Sequence, residues 1–397
     1  MSEWKEVQLG DISHKITKGT TPTTLGLKFR ESGINFIKSE SILDDGRIDK
    51  SKFAFIDVET HQRLSRSIIQ EKDILFSMAG VYLGKVALVT SNLLPANTNQ
   101  AVAIIRINEK LANPHFVKYY LSDKRYRQHI ESLTAQSAQP NISLSTINEL
   151  TISIPLRQEQ DAIVKILSCL DRKIENLRRQ NDTLERIAQT LFKHWFIDFE
   201  FPNEDGKPYK SSGGGMEGSE LGEIPVGWNV GTLSEIALFK NGKSPPEKNE
   251  DSKIPIYGSN GVIGNTTIAN NQKTVIIGRV GSYCGSLYYY LDQCWVTDNA
   301  MTGHLKKHKS HAYLYLFLAS SRLNKLSGGS GQPLLNQSIL SSIELGVPDN
   351  YLIRDFEEIA DPLFTKIFFN QNSIQTLTKT RDVLLPKLMS GQLRISE

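Results

Sequence analysis

The residues most suggestive of metal or acid–base chemistry lie in a histidine-rich segment late in the chain. Residues 304–311 contain His304, His308 and His311 interleaved with lysines. A zinc site requires neutral histidines at fixed spacing, and neighbouring ammonium groups oppose a bound cation. We therefore predict no metal site and interpret the segment as a basic surface loop, facing either phosphate or solvent.

Two other strings resemble enzyme motifs without completing them. Asn113-Pro114-His115-Phe116 resembles the Asn-Pro-Pro-aromatic box of adenine methyltransferases, but its third position differs and no glycine-rich cofactor loop follows an upstream strand. A helix that opens at Asn113-Pro114 and runs through Tyr120 to Ile130 explains it better. Asn241-Gly242-Lys243-Ser244 resembles the end of a phosphate-binding loop whose first glycine would fall on Ala237. The sequence therefore predicts no catalytic residue.

The remaining candidates are polar loops, which fit DNA binding. Asn and Gln can bond adenine through two hydrogen bonds, Arg and Lys can bond guanine, and lysines and hydroxyls can hold phosphates. The candidates in the first half are Lys15, Lys18, Thr20, Thr21, Lys28, Lys38, Tyr82, Lys85, Asn99 and Gln100. Those in the second half are Lys240, Lys243, Lys253, Tyr257, Asn260, Arg279, Tyr283, Lys306 and Lys307. Each alone is more often a solvated surface group, so the prediction depends on their recurrence on two similar surfaces.

The second half of the chain repeats landmarks of the first. Gly80-Val81-Tyr82-Leu83-Gly84 corresponds to Gly281-Ser282-Tyr283-Cys284-Gly285, and Ile154-Pro155 corresponds to Val347-Pro348. Gln139-Pro140 likewise corresponds to Gln332-Pro333, which we interpret as turns or as DNA-facing loops. A period of about 200 residues indicates a duplicated domain rather than a solenoid.

Each half ends in a sequence typical of a long helix. Apolar residues recur every seven positions from Ile163 to Leu191, with a second row starting at Leu167, and charged residues flank both rows. This pattern predicts a coiled-coil helix. Roughly forty residues would form a rod on the order of 60 Å, longer than a globular core needs. A matching helix is predicted from Tyr351 to Met389.

The two helices can bury their apolar rows on each other if they run antiparallel. The best register places Ile163 opposite Leu388 and Asn181 opposite Asn370. We predict that the two asparagines meet and fix the register, at some cost in stability. In this register Arg381 falls opposite an apolar residue, a conflict unless its guanidinium reaches solvent.

These patterns predict an α/β (α+β) fold with internal pseudo-twofold symmetry. Two similar mixed α/β domains are separated by two long helices that form an antiparallel coiled coil. The predicted segments are a first domain (1–155), a central spacer helix (156–200), a flexible polar linker (201–222), a second domain (223–349) and a C-terminal spacer helix (350–397).

Composition describes an ordinary non-membrane protein. The chain has 397 residues, 39% of them hydrophobic, and a formal net charge of +3. No apolar run is long enough to span a bilayer, and the N-terminus does not resemble a signal peptide. Cys169, Cys284 and Cys294 lack metal spacing and are predicted to be free thiols in a reducing cytoplasm. The small charge suggests that a DNA-binding role would leave much phosphate neutralisation to a partner.

Taken in order, the motifs resemble the specificity subunit of a Type I restriction-modification system along the whole chain. The resemblance is carried by the tryptophan-led openings at Trp4 and Trp228 and by Gly-Thr-Thr-Pro at 19–22. Segment 154–160, which opens the first long helix, and segment 384–393, which closes the second, complete it.

The resemblance implies two target-recognition domains, each reading one half of a split, asymmetric sequence in double-stranded DNA, with the helices setting the gap. It implies no active site in this chain. The partners would be two methyltransferase subunits, which use S-adenosylmethionine, and restriction subunits, which use ATP and Mg. Trp195 and Phe196, in an aromatic cluster ending the first helix, are assigned to methyltransferase docking, with packing on the second domain as the alternative.

Two other functions remain open at this point. One is a coiled-coil adaptor that never contacts DNA, and the other is a self-contained DNA methyltransferase or nuclease. Sequence-selective DNA binding would exclude the first, and methyl transfer or cleavage by the purified chain would favour the second.

Overall fold

The structure is a computed structural model that describes residues 4–134, 140–326 and 334–395. Gln139, Gln332 and Pro333, where turns were predicted, lie outside these residues. The chain forms two compact units. Unit 1 comprises residues 1–174 and 376–397, and unit 2 comprises residues 175–375. Each unit contains one sheet-rich domain and a segment of both long helices.

The strands of unit 1 are β1 (Lys5–Gln8), β2 (Ser13–Lys18), β3 (Ile34–Ile37), β4 (Ala54–Ile56), β5 (Ile74–Ser77), β6 (Val86–Leu88), β7 (Ala96–Thr98), β8 (Val102–Ile107) and β9 (Thr151–Ile154). The unit is organised around an antiparallel sheet of strand order β2-β8-β5-β6. A second sheet has the order β4-β3-β7, and β1 pairs with β9.

The central strands are apolar at consecutive positions because both faces of the sheet are buried. In β5, Ile74 and Phe76 belong to one hydrophobic cluster and Leu75 to another. Successive strand side chains point to opposite faces, so an uninterrupted apolar run covers two cores. The sheet is thereby fixed on both sides, and its connecting loops are held at its ends.

The helices of unit 1 pack beside this sheet. They are α1 (Val58–Arg63), α2 (Pro114–Ser122), α3 (Lys124–Leu133) and α4 (Leu144–Glu149). The sequence predicted one helix from Asn113 to Ile130, and this was wrong. Asp123 adopts an extended conformation and its side chain accepts the Arg125 N–H, which starts a second helix.

The strands of unit 2 are β10 (Met216–Ser219), β11 (Gly222–Pro225), β12 (Asn229–Thr232), β13 (Ala237–Asn241), β14 (Ile254–Gly258), β15 (Gly261–Thr266), β16 (Asn271–Gly278), β17 (Leu287–Val296), β18 (Ala300–Leu305) and β19 (Glu344–Val347). This unit repeats the plan of unit 1 with one larger sheet of order β13-β18-β16-β17-β14-β15. The long helices are α5 (Arg157–Phe196) and α9 (Asn350–Met389), and the short helices of unit 2 are α6 (Leu233–Ile236), α7 (Ala312–Ser320) and α8 (Gln337–Ser341).

The polar segment 201–222 is ordered, so the prediction of a flexible linker was wrong. Phe201 stacks between the rings of Tyr209 and Trp228, with centroid distances of 4.6 and 5.8 Å. The strand β10 then pairs with β11. Aromatic stacking and backbone hydrogen bonds therefore fix a segment whose composition suggests mobility.

The long helices run antiparallel in each unit. In unit 1, Ile163 and Leu388 share a buried cluster, and Arg381 Nη1 lies 3.0 Å from Asp171 Oδ1. In unit 2, the Asn370 amide donates to Asn181 Oδ1 at 2.9 Å. Further along the same seam, the rings of Phe192 and Phe356 lie 6.0 Å apart. The predicted meeting of the two asparagines is thus observed.

Arg381 resolves its conflict with the apolar seam by pairing rather than by reaching solvent. Its side chain is 15% exposed, and its guanidinium bonds both Asp171 and Asp382. Asp171 also accepts a hydrogen bond from the Tyr119 hydroxyl at 2.6 Å. The charge is therefore neutralised within unit 1.

Candidate nucleic-acid interface

In unit 1, polar loops meet at the end of the central sheet where β5 ends and β8 begins. Ser77 pairs with Val102, and the Met78 N–H donates to the Ala101 carbonyl at 2.8 Å. The loop after β2 joins them because the Thr20 N–H donates to the Thr98 carbonyl at 3.1 Å. Three loops from distant parts of the sequence therefore form one surface.

A glycine is required where the loop after β2 crosses this surface. A Cβ on Gly19 would lie 2.0 Å from the Thr98 carbonyl oxygen. In unit 2, a Cβ on Gly242 would lie 2.1 Å from the Thr297 carbonyl oxygen. Both distances are far below a van der Waals contact, so both units need glycine for the same close backbone approach.

Four predicted residues of unit 1 are brought together on this surface. The Thr21 hydroxyl donates to the Gln100 side-chain carbonyl, with Gln100 exposed. Thr20 accepts a hydrogen bond from Arg66 at 3.4 Å. Asn99 lies in the same loop as Gln100, and its buried Oδ1 has no hydrogen-bond partner among the described residues. The cluster presents amide, hydroxyl and guanidinium groups, which can bond base edges and phosphates.

Arg66 was missed by the sequence analysis. It sits in the turn Ser65–Ser67, far along the chain from Thr20, and is exposed. No local motif marks it, because only the folded structure brings that turn beside the loop after β2.

Three of the five predicted lysines of unit 1 bond to other groups of the protein, which leaves them less available for DNA. Lys85 is bound by Asp44 at 2.9 Å, with 12% of its side chain exposed and its ammonium over the Tyr82 ring. The assignment of Lys85 to DNA binding is therefore corrected, because its charge is already neutralised internally. The other lysines are Lys15, bonded to the Arg66 carbonyl, Lys38, paired with Glu40 at 3.5 Å, and Lys18 and Lys28, which are exposed.

Unit 2 forms an equivalent surface at the end of β16 and the start of β18. Gly278 pairs with Ala300, and the Arg279 N–H donates to the Asn299 carbonyl at 3.1 Å. The Lys243 N–H donates to the Val296 carbonyl at 3.0 Å, which draws in the loop after β13. The same three loops therefore gather as in unit 1.

Several predicted residues lie at or beside this second surface. Arg279 Nη1 donates to the Asp298 carbonyl at 3.3 Å, so its guanidinium is held against the loop before β18. Lys243, Asn260 and Tyr283 are exposed on the neighbouring loops. Lys240, near the end of β13, is also exposed. Lys253 is exposed but precedes β14, whose opposite end, at Tyr257, approaches the gathered loops.

Three predicted residues of unit 2 are not part of the surface. Tyr257 is 8% exposed and packs on the Tyr288 and Tyr290 rings, and burial raises the pKa of its hydroxyl. Its assignment to DNA binding is corrected, because it is a core residue. Lys306 and Lys307 follow the far end of β18, whose six residues span roughly 20 Å. They are exposed but lie away from the gathered loops.

The histidine-rich segment is a surface loop only at its lysines: Lys306, Lys307 and Lys309 are exposed, whereas the histidines are buried or half-buried. His311 is 6% exposed, its Nδ1 accepts the Leu305 N–H at 3.1 Å, and burial lowers its pKa to about 3. His308 lies 3.4 Å from Glu357, a carboxyl that is 5% exposed. Among the described residues, no three His, Cys, Asp or Glu side chains are grouped so that they could hold a metal ion.

Trp195 and Phe196 are core residues of unit 2. They are 5% and 7% exposed, and both pack on Phe356, with Phe196 also against Tyr313 at 4.7 Å. Their assignment to methyltransferase docking is corrected, because buried side chains offer no surface to a partner. The alternative of packing on the second domain is observed.

None of the helices in residues 4–134, 140–326 and 334–395 combines the length and apolarity needed to cross a membrane.

Comparison with known proteins adds a family to this geometry. The model of the family described as "Type I restriction modification DNA specificity domain" matches residues 1–186 and 225–378. A specificity subunit of the MjaIX Type I restriction enzyme from Methanocaldococcus jannaschii is 27% identical, covering 100% of this chain and 94% of that protein. The HindI specificity subunit from Haemophilus influenzae is 24% identical, covering 99% and 100%.

A solved structure shares the fold. The Type I restriction-modification S subunit from M. genitalium superposes with a TM-score of 0.61 at 20% identity, covering 97% of this chain and 96% of that one. Specificity subunits are the non-catalytic members of Type I restriction-modification complexes. With both of its domains matched by the family model and relatives aligned along its full length, this chain belongs to the specificity-subunit family of Type I restriction-modification systems.

Proposed function

We propose that this chain recognises a DNA sequence in two separate parts, one read by each unit. The observation that supports this most strongly is the duplicated loop surface. In unit 1 the loops after β2 and β5 meet the loop before β8, and in unit 2 the loops after β13 and β16 meet the loop before β18. In both units a close backbone contact at a glycine holds the loops together. A duplicated reading surface fits a bipartite target, and because the two surfaces carry different side chains, the two parts differ in sequence.

The chemistry of these surfaces suits groove and backbone contacts. In unit 1, Gln100 and Thr21 offer amide and hydroxyl groups to base edges, while Arg66 and Lys18 are exposed cations suited to phosphates. In unit 2, Lys243 and Asn260 are similarly exposed. Phosphate contacts would position each unit, and amide contacts would select bases.

The weak net charge of +3 indicates that the chain binds DNA together with partner subunits. Dedicated nucleic-acid domains are usually more basic, because released counterions supply much of the affinity. Two methyltransferase subunits are the proposed partners, which use S-adenosylmethionine to methylate adenine. Restriction subunits that consume ATP with Mg are proposed to join them. The chain itself supplies recognition and a scaffold, and α5 and α9, which each contribute to both units, are the proposed connectors.

The test is a DNA-binding measurement on the chain assembled with its methyltransferase partners. We expect salt-dependent binding that selects one class of duplex from a randomised pool. Equal retention of all sequences at every salt concentration would contradict the proposal, and retention of no duplex at any salt concentration would favour an adaptor without DNA contact.

A further inference from the structure

A short turn occurs at the same place in both units. Its middle residue, which we call the tip, is apolar in unit 1 and polar in unit 2. In unit 1, Gly80–Tyr82 forms a single 3-10 turn after β5. In unit 2, Gly281–Tyr283 forms the same turn after β16. The middle residue is Val81 in the first turn and Ser282 in the second, and each is followed by a tyrosine.

The two turns have corresponding backbone hydrogen bonds. In each, the carbonyl of the first glycine accepts an N–H three residues later at 3.0 Å. The last glycine, Gly84 or Gly285, donates to the final residue of the preceding strand at 3.0 and 2.8 Å. Both glycines of each turn have positive φ, 64° and 75° in unit 1 and 70° and 86° in unit 2. Glycine adopts this region without strain, so the conformation is set by sequence.

The turns are also anchored to the candidate interface. Ala79, just before the first turn, forms a bridge with Asn141, and Val280 forms the equivalent bridge with Leu334. On the other side, the Met78 N–H donates to the loop before β8, as the Arg279 N–H does to the loop before β18. The tip residue is therefore presented in a fixed position beside the gathered loops.

The tips are exposed and chemically opposite. Val81 is 84% exposed, and Ser282 is also exposed. A single exposed valine on a protein surface needs no explanation. Here, however, a duplicated rigid support holds an apolar tip in one unit and a hydroxyl in the other.

We propose that this tip is a specificity-determining position, at which Val81 contacts the C5 methyl group of a thymine and Ser282 hydrogen-bonds a base edge in the other half of the target. The inference rests on the proposed function and deepens it. The thymine methyl is the apolar group that base pairs present in the major groove. Valine can contact it but cannot hydrogen-bond, whereas a serine hydroxyl can donate and accept.

The experiment uses the full chain assembled with its methyltransferase partners and a duplex carrying its selected target. All thymines of one half are replaced by deoxyuridine, which removes only the methyl groups, and then all thymines of the other half. For the wild type we expect an affinity loss of about fourfold per lost methyl contact, equivalent to about 0.8 kcal/mol for one buried CH₂. Val81→Ser should abolish that loss in one half of the target and leave the response of the other half unchanged. Ser282→Val should alter base preference in the opposite half only.

A matched control is Leu111→Ser, which also replaces an exposed aliphatic side chain by serine. Leu111 is 49% exposed and follows β8, at the opposite end of that strand from the turn. This variant should respond to deoxyuridine as the wild type does. If Val81→Ser lost affinity on deoxyuridine to the same extent as the wild type, or if neither half responded in the wild type, the inference would be overturned while selective binding still supported the proposed function. Absence of selective binding by the wild type would overturn both.

Discussion

At the scale of single residues, Glu357 in unit 2 is an acid with little access to water. It is 5% exposed, and its Oε1 has no hydrogen-bond partner among the described residues, while Oε2 faces His308. Burial, together with the nearby Asp361 carboxylate, raises the pKa of Glu357 to about 8. Asp361 itself is held by Ser310 and by Lys273, at 3.3 Å from the latter. A proton therefore stays on Glu357 in the folded state at neutral pH.

This carboxyl predicts that unit 2 loses stability as pH rises from about 6.5 to 8. Between its usual pKa of 4.5 and its folded pKa of about 8, the folded state binds more protons than the unfolded state. The free energy of unfolding then falls with pH, by at most about 1.4 kcal/mol per pH unit. Below pH 6.5, His311 makes the free energy of unfolding rise with pH instead. Burial lowers its pKa to about 3 in the folded state, so there the unfolded state binds a proton that the folded state does not. Urea unfolding followed by tryptophan fluorescence in a Trp4→Phe background reports on unit 2, since Trp195, Trp228 and Trp295 all lie there.

The matched variant is Glu357→Gln, which keeps the shape and removes the titration. The free energy of unfolding of this variant should change less with pH than that of the wild type between pH 6.5 and 8. An unchanged slope in Glu357→Gln would show that another group binds the proton.

Arg66 and Gln100 in unit 1 are predicted to affect DNA binding differently. Arg66→Ala should weaken binding to all duplexes alike and reduce the slope of log affinity against log salt by about one, because one phosphate contact is lost. Gln100→Ala should instead relax preference at one base position, at a cost of about 1–3 kcal/mol on the preferred base. Selection from randomised duplex at several salt concentrations separates the two. Loss of base preference in Arg66→Ala with an unchanged salt slope would reverse the assignment.

At this scale the sequence predicted the residue types of the site but not their partners. Thr21 and Gln100 were chosen for their side chains, while their mutual hydrogen bond and the approach of Arg66 depend on contacts between distant loops. Lys85 had the right charge, but its neutralisation by Asp44 could not be foreseen from spacing. The assignments of Tyr257 to DNA binding and of Trp195 to partner docking were wrong, because an aromatic side chain packs in a core as readily as it binds at a surface.

At the scale of elements, the seam between α5 and α9 carries a buried polar contact in unit 2. Asn370 is 2% exposed and bonds Asn181 at 2.9 Å, with Gln180 Oε1 at 3.4 Å as a second acceptor. A polar pair in an apolar seam stabilises one register, because any other register would bury an amide without a partner.

Asn370→Ala should therefore lower the stability of unit 2 by about 1–3 kcal/mol, through the unpaired Asn181 and the lost side chain. A double-mutant cycle with Asn181→Ala should give a coupling free energy of about 0.5–1.5 kcal/mol. The exposed neighbour Gln371 provides the control, since Gln371→Ala should change stability by less than about 0.5 kcal/mol. Strictly additive effects of the two asparagine substitutions would mean that their hydrogen bond contributes nothing.

The elements were the most predictable level of the fold. Seven-residue periodicity located the first long helix and the repeat located the second, each to within a few residues, because apolar spacing along a helix is a local property. The break at Asp123 and the ordered segment 201–222 were missed. The first depends on one capping side chain, and the second on the stacking of Phe201 with Tyr209 and Trp228.

At the scale of the whole molecule, the duplication gives two similar units, and each of the two long helices contributes to both of them. The repeat was predictable because its landmarks include glycines that the backbone requires, such as Gly80 and Gly281, which both have positive φ. The number of strands in each sheet was not, since strand pairing between distant segments leaves no local signature.

Because α5 and α9 are the proposed connectors, we expect their length to set the number of base pairs between the two recognised parts. Deleting one heptad at paired positions of α5 and α9 should change the number of base pairs accepted between the two recognised parts and leave both parts unchanged. Seven residues preserve the apolar rows, so the seam can still form. The modified sites of the variant complex provide the measurement, and altered parts with an unchanged spacer would contradict the connector role.

Bipartite recognition can be measured by mapping methylated adenines in a host that carries this chain with its methyltransferase partners. For the wild type, we expect one modified sequence made of two separated parts. For the double variant Thr21→Ala, Gln100→Ala, we expect a change in one part only. A single uninterrupted sequence, or a change in both parts at once, would contradict the assignment of one reading surface to each unit.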